Sequence, residues 1–245
     1  MSGHSKWANI KRKKEKTDAV KGNVFTKIGR EIAVAVKLGG SDPSNNSRLF
    51  DVIAKAKANN MPNDNIQRSI KKAAGELGNI NYENMTYEGY GIGGSAVIVE
   101  CLTDNKNRTA GDIRSFFDKC GGSLGTTNCV SFMFDKKGVI VCEKPDGMSD
   151  DAAFEAALNA GGDDVCVEED VFEVYTAPSD LSAVKEGLIN SGINILSAEA
   201  EWLPQTTVSL NIEQIVRFKK MLDLFEENDD VQNVYHNVDL PDEEE

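Results

Sequence analysis

Apolar residues recur at every fourth position between residues 17 and 38: Val20, Val24, Ile28, Ile32 and Val36, with Phe25 and Ala35 beside them. That period lines one face of an α-helix, and Gly39-Gly40 supplies a stop. Residues 41–46 (SDPSNN) read as a loop. A second helix carries Leu49, Val52, Ile53 and Ala56 on one side. It breaks at residues 59–63, where Pro62 cannot continue a helix but starts one well. The third helix turns Ile66, Ile70 and Ala73 inward and ends at Gly75. Three short helices in succession predict a small all-α domain within residues 1–80.

Beyond Glu76 the period shortens. Residues 96–102 (AVIVECL) are a continuous apolar run of strand length, and residues 103–107 turn into a helix carrying Ile113, Phe116 and Phe117. Gly121-Gly122 closes that helix, and residues 130–134 predict the next strand. A strand at 139–142 follows, then a helix opened by Ser149 through Phe154, Ala157 and Leu158. A hairpin of 165–167 with 171–175, a helix from Ser179 through Leu188 and a strand at 195–202 complete the series. This βαββαβ order is the split-βαβ, ferredoxin-like pattern. After Pro204 come a strand at 207–210, a helix at 212–225 and a strand at 231–237. Joined to the strand–helix–strand of 95–135, they make a second such set, with the first inserted at its central hairpin. The expected fold is α+β and multidomain: an N-terminal three-helix domain (1–80) and two ferredoxin-like domains, the third domain (136–204) inserted in the second (81–135 with 205–240). Residues 241–245 form an acidic tail.

Charge separates the parts. The chain carries a formal −13, but residues 1–75 sum to +10 and residues 76–245 to −23. Such asymmetry points to a polyanion-binding module on an acidic body. With 40% hydrophobic and 27% charged residues the chain belongs with soluble globular proteins. No apolar run approaches the roughly 18 residues of a membrane span, and the basic N-terminus meets no apolar core, so neither a membrane anchor nor a secretory leader is expected. Five cysteines form no CxxC pair, and four of the five lie in or beside apolar runs that suit small buried hydrophobes in a reducing, cytoplasmic setting. Only His4 and His236 are present, far apart, so no metal, no cofactor and no His-based acid–base machinery is expected, and an enzyme is disfavoured.

The candidate chemistry is cationic. Lys6, Lys11, Arg12, Lys13, Lys14 and Lys16 crowd around Trp7 at the N-terminus. Clustered cations displace counterions from phosphates, and Trp offers a stacking face. Lys27, Arg30 and Lys37 follow on the first helix, and Arg68, Lys71 and Lys72 lie opposite the apolar face of the third. The alternative for each helix is an ordinary solvated face. At 103–109 (TDNKNRT), Lys106 and Arg108 offer a second anionic contact, although helix capping accounts for the Asn and Asp there. The glycines of 87–94 (YEGYGIGG) precede a strand rather than open a helix, which favours loop or close backbone packing over a phosphate loop. The acidic runs, including 226–230 (EENDD), read as solvated surface.

Taken together, the blocks SGHSKWANIKRKK, FTKIGREI, LGGSDP, ANNMPNDNI, YEGYGIGG, ECLTDNKNRT and GGSLG closely resemble the YebC/PmpR family of probable transcriptional regulators. That family also includes the mitochondrial translational activator of cytochrome oxidase subunit I. The resemblance spans nearly the whole chain and implies three domains, with the third inserted in the second. It implies a cytosolic, non-enzymatic regulator of gene expression, described for some members as DNA-binding and for others as ribosome-associated and easing translation of proline-rich stretches. The contacts it implies here are His4, Lys6, Trp7, Lys11, Arg12, Lys13 and Lys14. Val20 stands where many relatives have a base and Ile92 where many have Pro. Two nucleic-acid partners therefore stand open, ribosomal RNA and duplex DNA, beside a protein–protein adaptor acting through the acidic α/β domains. A Lys-rich arm with an aromatic suits irregular RNA better than B-form DNA.

Overall fold

The computed structural model turns the four-residue period into helix α1 (Asp18–Gly39), followed by α2 (Ser47–Ala58) and α3 (Asn63–Gly75). It describes Trp7, residues 18–75 and residues 81–241, with the backbone alone for residues 18–21. The predicted faces meet in one core, with Ile28, Ile32 and Val36 from α1, Leu49, Val52 and Ala56 from α2, and Ile66 and Ile70 from α3. Asn46 fixes the α1–α2 corner. Its Oδ1 accepts from Leu49 N at 3.1 Å, and its Nδ2 donates to the carbonyls of Ala35 and Gly40 at 2.8 Å. A buried amide so satisfied both caps α2 and ties it back to α1.

The first sheet is antiparallel with spatial order β3-β1-β2-β8. Its strands are β1 (Glu83–Tyr90), β2 (Ala96–Thr103), β3 (Ser123–Leu124) and β8 (Val231–His236). Helices α4 (Lys106–Lys119) and α7 (Ile212–Glu227) pack beside it. Phe117 and Phe225 meet edge-to-face at 5.3 Å between ring centres. The layout is that of a split βαβ sheet, reached by a different route along the chain. The strand beside β2 comes from before it, through the β1–β2 hairpin. Of the two readings of residues 87–94, loop or close backbone packing, 87–90 follow the second: they are strand, and the close packing at their glycines is visible. A Cβ at Gly89 would lie 2.6 Å from the Ser123 carbonyl oxygen, and one at Gly122 2.6 Å from that of Tyr90. Only glycine lets β1, β3 and the end of α4 approach so closely.

The second sheet has the order β5-β6-β4-β7. Strands β4 (Phe134–Glu143), β5 (Asp164–Val167), β6 (Val171–Thr176) and β7 (Ile195–Pro204) alternate with helices α5 (Asp150–Asn159) and α6 (Leu181–Asn190) as βαββαβ. Ile140, Cys142, Phe172 and Val174 face Ala153 and Ala157 of α5 and Val184 and Leu188 of α6. Two strand expectations are corrected here. Residues 130–134 are not a strand of the first sheet: Ser131–Met133 is a 3-10 turn, and Phe134 already begins β4. Residues 207–210 supply only an isolated bridge, Val208 to Val238.

The described residues form two compact units. One comprises residues 18–75, 81–130 and Asn211–His236; the other comprises Trp7, Ser131–Leu210 and residues 237–241. The three helices and the first sheet thus share one unit. Among the described residues no helix is long and apolar enough to cross a membrane.

Candidate nucleic-acid interface

The burial of Ile28 and Ile32 fixes the rotation of α1 and decides where its cations point. Lys27 Nζ donates to the Glu226 carbonyl at 2.7 Å, at the end of α7, where backbone oxygens have no intrahelical partner. Arg30 donates to the Leu102 carbonyl at 3.1 Å, pairs with Asp230, and lies 5.7 Å from the centre of the Tyr82 ring. Lys37, in the last turn, is exposed and donates to Asn81 Oδ1 at 3.0 Å.

Asp230 is the hub of this region. It is 3% exposed. Its carboxylate receives Arg108 Nη2 at 2.8 Å, Thr109 Oγ1 at 2.7 Å and Thr103 Oγ1 at 3.2 Å, in addition to Arg30. Its carbonyl accepts from Leu102 N at 2.7 Å. Burial alone would raise the affinity of this carboxyl for a proton. The hydrogen bonds from Thr109, Arg108 and Arg30, and the charge of Arg30, outweigh it and hold the group below the ordinary aspartate value. The same bonds, with those to Asp104, raise the pKa of Arg108. Around this hub lies an open polar cleft of about 480 Å³. Beside the two arginines it presents Asp104, Asp112, Glu227 and Asp229, so its field disfavours phosphate. Arg30, Arg108 and Lys27, grouped from the sequence with the polyanion contacts, are placed by the structure in intramolecular bridges that join α1 to the first sheet and its helices.

The remaining candidates divide cleanly. Lys106 pairs with Glu83 at 2.6 Å on the surface. Asn105 caps α4, accepting from Arg108 N at 3.1 Å, as the capping reading of this stretch requires. Arg68, Lys71 and Lys72 are exposed at positions i, i+3 and i+4 of α3, opposite Ile66 and Ile70, and form one cationic face. Trp7 is half-buried, and its backbone N–H donates to Glu173 Oε1 at 2.7 Å. His4, Lys6, Lys11, Arg12, Lys13 and Lys14 lie outside the described residues. Among the described residues no group of three His, Cys, Asp or Glu side chains is placed to hold a metal. Buried Cys101 and Cys142 are pushed up to about 12 by desolvation, which keeps them as inert thiols.

Sequence reasoning passed over Asp230 and Glu173. Asp230 ends an acidic run whose neighbour Asp229 is exposed, and only its place immediately before β8 sets it apart. Glu173 interrupts the apolar strand VFEVYT, which is a signal for a buried, partnered carboxylate.

Comparison with known proteins agrees with this architecture. Residues 5–76 match the model of the TACO1/YebC protein N-terminal domain, and residues 82–238 match that of the TACO1/YebC second and third domain. The chain belongs to the TACO1/YebC family. A relative in Acetivibrio thermocellus is 61% identical over 238 residues, covering 97% of this chain and 98% of that one. Another, in Thermoanaerobacter pseudethanolicus, is 55% identical and covers 99% of both. Each bears the name probable transcriptional regulatory protein. The crystal structure of a conserved hypothetical protein from Aquifex aeolicus is similar across the family fold, with a TM-score of 0.81 and 44% identity over 93% of this chain and 94% of that one.

Proposed function

We propose that the chain is a cytoplasmic, non-enzymatic, nucleic-acid-binding regulator of gene expression that meets RNA on the ribosome and eases translation of difficult, proline-rich stretches. The observation that carries this reading is the segregation of charge, +10 over the first 75 residues against −23 over the rest. A body so acidic is repelled by any long polyanion lying along it, which suits a factor that inserts one basic end into a pocket. The basic face of α3 and the cations flanking Trp7 are its contacts; Lys27, Arg30 and Arg108 hold the fold. The names of the relatives favour a second reading, a duplex-DNA regulator of transcription acting through the same cations.

Both readings require electrostatic binding by the N-terminal region. Changing Lys11, Arg12, Lys13 and Lys14 to Glu should abolish binding of a single-stranded RNA or a duplex while the circular dichroism spectrum stays that of a folded chain. The unaltered chain should show a steep negative slope of log affinity against log salt. Equal affinity in the quadruple variant would remove the N-terminal region from the interface.

A further inference from the structure

Strand alternation assigns the two faces of the β5-β6-β4-β7 sheet. Ile140, Cys142, Phe172 and Val174 meet helices α5 and α6, so Val139, Val141, Val171, Glu173 and Tyr175 point the other way. That second face is buried nonetheless: Val139, Val141, Val171 and Glu173 are at most 1% exposed. It is also acidic. Register places Glu173 beside Val141, Glu199 beside Val139 and Glu201 beside Lys137, with Asp164 beside Tyr175 at the edge. A buried carboxylate is costly unless donors meet its oxygens. Here the Tyr175 hydroxyl donates to Glu173 Oε2 at 2.7 Å, and the donor on Oε1 is the backbone N–H of Trp7, also at 2.7 Å. Burial raises the pKa of Glu173, and these two bonds oppose the rise.

We propose that this acidic sheet face is the docking surface for the chain's own basic N-terminal segment, residues 1–17, and that a phosphate backbone competes with it for that segment. Charge complementarity supports the assignment, because residues 1–17 sum to +5. Trp7 fixes the register. Lys6 adjoins it in sequence, and Lys11 to Lys14 follow within four to seven residues. In the free protein the carboxylates stand in for phosphate, and binding exchanges one set of anionic partners for the other. The docking stands independently of the proposed function; the competition rests on it.

The test uses the full chain with Trp202→Phe, which leaves Trp7 as the remaining tryptophan, and reads acrylamide quenching of its emission. A labelled single-stranded 20-nucleotide RNA reports affinity. Glu173→Gln keeps the shape and removes the charge, which should raise quenching and tighten RNA binding by about tenfold, the difference between a charge-assisted and a neutral hydrogen bond. Reversing Lys11, Arg12, Lys13 and Lys14 to Glu should raise quenching as well. Unchanged quenching in both variants, with an unchanged circular dichroism melt, overturns the docking. Raised quenching with no RNA binding by any variant upholds the docking and overturns both the competition and the nucleic-acid reading.

Discussion

Replacing Asp230 by Ala should detach α1 from the first sheet more effectively than any other single change. The substitution strands two arginines, and their exposure decides the cost. The Arg108 side chain is 45% exposed, keeps Asp104 at 2.8 Å and can turn to water. The Arg30 side chain is 15% exposed and, among the described residues, retains the Leu102 carbonyl and the Tyr82 face. Removing one partner of a buried, hydrogen-bonded ion pair costs about 3–5 kcal/mol. Asp230→Asn leaves an acceptor for Thr109 and should cost about 2 kcal/mol. Because the chain has two compact units, one global melt is a poor measure. Hydrogen exchange at Leu102, whose N–H bonds the Asp230 carbonyl, reads the correct unit. A double-mutant cycle should give Asp230 a larger coupling to Arg30 than to Arg108. A loss under about 1 kcal/mol in Asp230→Ala, or the reverse order of couplings, would refute the reasoning.

Acid should act through the same residue. Since Asp230 is held below the ordinary value of 3.8, its contribution is complete above that pH and is lost as pH falls through the folded value. The wild-type unit should therefore lose stability below about pH 4 more steeply than Asp230→Asn, measured by urea unfolding across pH; parallel curves would contradict this. A third prediction concerns residues 134–204. Gln205 N donates to the Met133 carbonyl at 2.9 Å, so the two ends of residues 134–204 lie side by side. Replacing that stretch with a short Gly/Ser linker keeps all four strands of the β3-β1-β2-β8 sheet, and a soluble, cooperatively melting product is expected. A uniformly unfolded product would mean that the two units depend on each other to fold.

The three helices were legible because their apolar residues fall at helical spacing and their ends carry Gly, Asn and Pro. The βαββαβ order of the second sheet was legible for the same kind of reason: short apolar runs alternate with capped helices. Strand β1 was hidden because ENMTYEGY neither alternates cleanly nor runs apolar; it is held by pairing with β2 and by backbone approach at Gly89. Strand β4 was read short because Asp135-Lys136-Lys137-Gly138 resembles a turn, yet β7 pairs with it along its full length. At the candidate interface, cation type was visible but commitment was not. Arg30 and Arg68 look alike in sequence; the first faces a buried aspartate 200 positions away and the second faces solvent. Only tertiary structure separates them.

The measurement that bears most directly on the proposed function is ribosome co-sedimentation beside duplex competition, both at physiological salt. On the ribosomal reading the chain should pellet with ribosomes and bind a promoter no better than random duplex. Trp7→Ala should weaken the ribosome association while barely changing affinity for duplex, because stacking on splayed bases is available in RNA and not in B-form duplex. A chain that stays off ribosomes and prefers one promoter sequence over random duplex by about a hundredfold or more would contradict it and establish the transcriptional reading.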